Sequence, residues 1–180
     1  MKVLKFGGTS VGSVENLRKV KEIIDRQKDD VVVVVSAFGG ITDKILTMAR
    51  TAATTRTFTT TEMMEITDRH LTAIEALVPV ENQEQVKNIL QEKLNELSGL
   101  IQGVSLIGEL TPKTLDKIGG MGEMLSSSII APFLGARWFN SMELIKTDSN
   151  FLKASVDFDK TTQLIRQAFV GFSGVAVAPG

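Results

Sequence analysis

Val31-Val32-Val33-Val34-Val35-Ser36-Ala37-Phe38-Gly39-Gly40-Ile41-Thr42 sets the architecture of this chain. Side chains alternate across a strand, so five successive valines present β-branched apolar groups to both sides. Such a strand is expected centrally in a parallel sheet, with helices covering both faces. A glycine-containing turn, Ser36 to Gly40, follows it, and Ile41 to Ala53 has helical periodicity. Toward the amino terminus the same order recurs. Lys2 to Phe6 reads as a short strand ending at Gly7-Gly8, and Val14, Leu17, Val20, Ile23 and Ile24 line one face of a helix beginning at Ser13.

Downstream, Thr54 to Thr61 holds six threonines in eight residues and is expected to be a mobile connection, because threonine is a poor helix former. Two helices are expected next, from about Glu62 to Leu77 and from about Asn82 to Ile101, separated by Pro79. The second carries Val86, Ile89, Leu90, Leu94, Leu97, Leu100 and Ile101 at helical spacing. Thr111-Pro112 supplies an N-cap and a first helical proline for a helix that breaks at Gly119-Gly120, and another runs from near Gly122 to about Pro132. Ala136 to Asn140 and Leu144 to Thr147 look like short strands, Phe158 to Phe169 like a helix, and Val175 to Ala178 like a last buried strand. The expected fold class is α/β, a three-layer α/β/α sandwich with a mainly parallel sheet.

A chain of 180 residues suits one domain with a packed core, and 43% hydrophobic with 23% charged content excludes a disordered or fibrous chain. Twenty Lys plus Arg against 21 Asp plus Glu leave a net charge of -1, so neither nucleic acid nor a membrane surface is expected as partner. No cysteine is present, which removes disulfides, thiolate metal sites and a catalytic thiol and fits a reducing, cytoplasmic setting. The apolar runs are far shorter than a membrane span, and no targeting segment is read. His70, the only histidine, has no second His or Cys to share a metal; it is expected at the surface or rim, and no metal site is expected. Met63, Met64, Met121, Met124 and Trp138 read as core residues.

Ligands of an open parallel sheet sit beyond the carboxyl ends of its strands, which directs attention to the two glycine turns. In Lys5-Phe6-Gly7-Gly8-Thr9-Ser10 an ammonium is followed by side-chain-free amides and two hydroxyls, ahead of a helix N-terminus. Glycine amides approach phosphate oxygens closely, and a lysine neutralises charge on a transferring phosphoryl group. The spacing fits neither GxxxxGK[ST] nor GxGxxG, and a tight turn with a solvated Lys5 remains the alternative. Ser36 and Thr42, at the second turn, can hydrogen-bond a carboxylate. Glu123 stands in the first turn of a helix, where the dipole is expected to keep it ionised and able to pair with an ammonium. On residue type and position alone, an ordinary helix N-terminal glutamate is the simpler reading.

Lys2-Val3-Leu4-Lys5-Phe6-Gly7-Gly8-Thr9-Ser10-Val11 resembles the amino-terminal signature of aspartate kinases, members of the amino-acid kinase fold. Ser36-Ala37-Phe38-Gly39-Gly40-Ile41-Thr42 resembles that family's second motif, and Gly122-Glu123-Met124-Leu125-Ser126 its third. Gly103-Val104-Ser105-Leu106-Ile107-Gly108-Glu109 is similar to a segment of bifunctional aspartate kinase/homoserine dehydrogenases. The resemblance implies phosphoryl transfer from MgATP to the β-carboxylate of L-aspartate, the first step toward lysine, threonine and methionine. It assigns Lys5, Phe6, Gly7, Gly8, Thr9 and Ser10 to the nucleotide, with Lys5 catalytic, and Ser36, Thr42 and Glu123 to the amino acid. NADP is implied only where a dehydrogenase is fused. A homo-oligomer is implied for the full-length enzyme.

Family members continue into a GRGGSD-type segment and a nucleotide-binding half, and none of the seven arginines here (18, 26, 50, 56, 69, 137, 166) lies in such a motif. Residues 1–180 are therefore expected to be the amino-terminal, amino-acid-binding part of a kinase domain, with little activity alone and with an uncovered sheet edge or apolar face near Val175 to Ala178. Two further readings stay open: a kinase for another acid or a carbamate, and a non-catalytic module for an amino acid or anion.

Overall fold

A computed structural model describes residues 1–58 and 60–180. Four strands, β1 (Lys2–Phe6), β2 (Val31–Val35), β3 (Arg137–Trp138) and β4 (Val175–Pro179), pair in parallel in the spatial order β1-β2-β4-β3. Val31 is in register with Lys2 on one side and Val175 on the other, so β2 is interior, as its valine run predicts. Of the uncovered sheet edge or apolar face expected near Val175 to Ala178, the edge is not found: β4 is interior too, because β3 flanks it.

Val31, Val33 and Val35 are fully buried on one face, where α1 (Val14–Asp25) turns Leu17, Val20 and Ile24 inward and α6 (Met121–Leu134) packs across β2, β4 and β3. The return from β3 to β4 runs opposite to the other crossovers, and right-handed connection puts α8 (Phe158–Ala168) on the other face. That second face is covered less fully than the valine run predicts. Val32 and Val34 are half-buried, and Val3, in register with Val32, is 67% exposed.

Between β2 and β3 lie α2 (Ile41–Thr55), α3 (Thr60–Leu77), α4 (Val80–Ile107) and α5 (Pro112–Gly119), which build a helical layer around α6. Almost every side of α6 is apolar and buried, the pattern of a helix enclosed on all sides. Its buried Ser127 and Ser128 hydroxyls donate to carbonyls three residues back, and Ser127 also accepts from the Trp138 indole N–H at 3.0 Å.

Several expectations are corrected. The threonine-rich connection is shorter than 54–61: Thr54 and Thr55 stay helical by bonding back to the Arg50 and Thr51 carbonyls, α3 already starts at Thr60, and Thr59 lies outside the described residues. Helix α4 begins at Val80 and passes Ile101, because Val104 and Ser105 extend its buried stripe; it stops at Gly108, whose φ is +74°. The strand expected over Leu144 to Thr147 is instead α7 (Ser141–Leu144), capped by Asn140, and Thr147 makes only an isolated antiparallel bridge to Val156. Strand pairing near Ala136 to Asn140 is confined to Arg137 and Trp138. Met64 is 62% exposed, since it falls on the solvent side of α3, and Trp138 is only half-buried.

His70 is fully buried, not at the rim: its ring stacks on Phe38 with centroids 4.8 Å apart. Its Nδ1 meets the Ile66 carbonyl at 2.7 Å, and Nε2 has no partner among the described residues. Burial, opposed by the Ile66 hydrogen bond, lowers its pKa to about 4. The folded protein therefore binds fewer protons than the unfolded chain between pH 6.5 and 4. Stability present above 6.5 is lost as pH falls through that window, by up to about 3 kcal/mol. Melting temperatures of the parent and His70→Gln across this range test it; parallel pH profiles would refute it.

Candidate active site at the strand ends

The carboxyl ends of β1 and β2 are joined where the Ser36 N–H donates to the Phe6 carbonyl at 3.0 Å. The two glycine loops beyond them touch backbone to backbone. A Cβ on Gly8 would lie 3.2 Å from the Ala37 carbonyl oxygen, and one on Gly39 would lie 3.3 Å from the Gly8 oxygen. One on Gly12 would meet that same oxygen at 2.8 Å. The first turn of α6 rests on the second loop: a Cβ on Gly122 would stand 2.8 Å from the Ala37 Cβ and 3.2 Å from Thr42 Oγ1. Gly122→Ala is accordingly expected to destabilise the fold by about 1–3 kcal/mol through overpacking. An unchanged urea midpoint would refute this.

Glu123 is half-buried beside these loops, and its Oε1 accepts the Ala37 N–H at 3.5 Å. Burial pushes its pKa above the usual carboxylate value, although hydrogen bonds from backbone N–H groups and the Lys5 charge pull the other way. The helix dipole does not dominate as expected; loss of water around the carboxylate does. Ser126, which the sequence did not single out, donates from Oγ to the Ser36 carbonyl at 2.9 Å and to the Glu123 carbonyl at 3.2 Å, tying α6 to the end of β2.

Lys5 is exposed and makes no hydrogen bond or ion pair among the described residues, yet its charge is felt at Glu123. The first loop curls before the helix: the Gly7 carbonyl accepts from Ser10 and Val11 N–H groups, and the Thr9 carbonyl from Gly12 N–H and Asn16 Nδ2. Helix α1 therefore starts only at Val14, capped by Ser13, and the exposed Thr9 and Ser10 stand ahead of its N-terminus. The Gly8 and Thr9 amides have no protein acceptor among the described residues. Phe6 is half-buried against the core, and Ser36 and Thr42 are half-buried with hydroxyls that make no protein hydrogen bond among the described residues.

The structure thus brings Lys5, Gly8, Ser36, Thr42 and Glu123 to one end of the sheet. Residue type alone offers no reason to choose Arg69 on α3, which donates to the Gly39 and Gly12 carbonyls. No group of three or more His, Cys, Asp or Glu that could hold a metal occurs among the described residues, and no described helix is long and apolar enough to cross a membrane.

Known proteins resemble this chain in sequence and in fold. Over 180 residues the chain is 31% identical to the chloroplastic aspartokinase 2 of Arabidopsis thaliana, covering 94% of this chain and 32% of that protein. It is 26% identical to the bifunctional aspartokinase/homoserine dehydrogenase of Buchnera aphidicola, covering 100% of this chain and 23% of that one. Its fold matches E. coli aspartokinase III in complex with aspartate and ADP at a TM-score of 0.83 and 20% identity, over 100% of this chain and 40% of that one. The chain spans a third or less of these two sequence relatives. The model of the amino acid kinase family matches residues 1–179, and the chain belongs to that family.

Proposed function

We propose that residues 1–180 form the amino-acid side and the phosphate loop of an aspartate kinase, transferring a phosphoryl group from ATP to the β-carboxylate of L-aspartate. The observation that carries this is the meeting of the two glycine loops under the start of α6, where a half-buried Glu123 carboxylate accepts the Ala37 N–H and the Ser36 and Thr42 hydroxyls are left without protein partners among the described residues. A zwitterionic amino acid fits there. Its α-ammonium pairs with Glu123, the Ser36 and Thr42 hydroxyls meet a carboxylate, and Lys5 is left for phosphate oxygens. Gly7, Gly8 and the Thr9 amide face the same phosphates, with Phe6 and Ser10 flanking them.

In the reaction, a β-carboxylate oxygen forms a bond to the γ-phosphorus, the bond between that phosphorus and the β–γ bridging oxygen breaks, and ADP leaves with the electron pair. The nucleophile is already ionised, so the site needs no general base; its work is alignment and charge neutralisation. Magnesium would enter on the phosphates of ATP, since the described residues offer no carboxylate cluster of their own. The E. coli structure, with aspartate and ADP bound, supports this choice of substrates.

The test is ATP-dependent formation of an acyl phosphate, trapped as a hydroxamate, in the full-length protein that carries these residues. Aspartate is expected to give product and asparagine none. Product from glutamate or carbamate but not from aspartate would overturn the assignment. Residues 1–180 alone are expected to show little turnover, and robust ADP release by them would overturn that expectation.

A further inference from the structure

Arg69 reaches from α3 to both glycine loops at once: Nη1 donates to the Gly39 carbonyl at 2.6 Å and Nη2 to the Gly12 carbonyl at 3.0 Å. Its Cζ lies 6.0 Å from the centroid of Phe38, whose ring stacks on the buried His70 next in sequence. The planar guanidinium presents separate N–H groups in a fixed fork, so two carbonyls from different loops can be held at a set separation. Gly12 and Gly39 belong to the same loops as residues assigned above to phosphate and to amino acid.

We infer that Arg69 is a positioning residue, a clamp that holds the two glycine loops in register and thereby fixes the distance from phosphoryl donor to acceptor carboxylate; its catalytic consequence rests on the proposed phosphoryl transfer. Gly8, Gly12 and Gly39 already meet through bare backbone, which allows close approach but supplies no directional bond. Arg69 supplies two such bonds. A lysine has one nitrogen in place of the fork and cannot reproduce this geometry. Beside the guanidinium lies a cavity of about 280 Å³, lined among others by Val11, Gly12, Phe38 and Thr72, through which a small cation can reach the same place.

The experiment compares Arg69→Lys and Arg69→Ala with the unaltered full-length protein. Because misplacement by about 1 Å can cost on the order of 10²-fold, both variants are expected to lose kcat on that scale while the KM for each substrate stays within about threefold. Low-millimolar guanidinium is expected to restore part of the kcat of Arg69→Ala and to leave the unaltered protein unchanged. Amide exchange at Gly12 and Ile41, whose N–H groups donate to the Thr9 and Phe38 carbonyls within the two loops, is expected to quicken together in Arg69→Lys. Full kcat in both variants, a loss confined to KM, or unchanged exchange in either loop would overturn the clamp. Absence of aspartate-dependent ADP release from the unaltered protein would overturn the reaction instead, and loop exchange would then still decide the clamp.

Discussion

Replacing Lys5 with methionine is expected to lower kcat for aspartate-dependent ADP release by roughly 10²–10³-fold, the scale of losing one group aimed at transition-state charge. The exposed Lys5 ammonium forms no ion pair or hydrogen bond among the described residues, so its removal takes little from the fold. Stability is expected to change by no more than about 0.5 kcal/mol, as for other surface positions. Charge on the three equatorial oxygens of a transferring phosphoryl group is spread in a way the ground state is not, so the loss falls on kcat more than on the KM for ATP. Lys5→Arg restores the charge without the compact shape, and only partial recovery is expected. A Lys5→Met protein with kcat within threefold of the parent would remove the residue from the reaction.

Glu123→Gln is expected to move two measurements in opposite directions. Truncating one partner of a desolvated charge pair costs about 2–5 kcal/mol, so aspartate affinity should fall by a factor on the order of 10². The unliganded protein should become more stable at neutral pH. The sign follows from the raised pKa: between the ordinary carboxylate value and the higher folded value, the native state holds the proton more tightly than the unfolded chain. As pH rises through that window, the native state gives up the proton against the cost of desolvation, and stability falls. Glutamine avoids this cost. Its advantage should be full above the folded pKa and vanish below the ordinary carboxylate range. Aspartate binding by the parent should weaken as pH drops through the same window, while binding by the variant stays weak and flat. Calorimetric titrations and melting curves across this range check both arms, and unchanged affinity in Glu123→Gln would exclude the ammonium contact.

Much of this is legible in the amino-acid sequence, for reasons that differ by element. The valine run disclosed an interior strand because β-branched apolar side chains on both faces suit a strand covered on both sides; its register with β1 and β4 bears out the interior place, while Val32 and Val34 are only half-buried. What failed were segments where propensity competes with packing. Thr54 and Thr55 favour extended backbone, but their hydroxyls satisfy carbonyls within the helix. Leu144 to Thr147 includes β-branched Ile145 and Thr147, but no neighbouring strand completes a ladder there. The hydroxyls and carboxylate of the candidate site could be named from the glycine turns, whereas Arg69 could not. It lies in a helix about thirty residues from Gly39 and acts on main-chain carbonyls, which leave no imprint on residue type. The raised pKa of Glu123 was likewise hidden, since burial of a helix start depends on the loop packed against it.

The twin glycines of the opening loop are not equivalent. Gly8 is crowded by the protein's own backbone, whereas an added methyl at Gly7 would meet nothing within 4 Å. A methyl at position 8 would require the Ala37 carbonyl to give way by a few tenths of an ångström, whatever the loop binds. On the proposed phosphate role, position 7 would be held to glycine by the nucleotide alone, and an alanine there is expected to cost turnover without costing the fold.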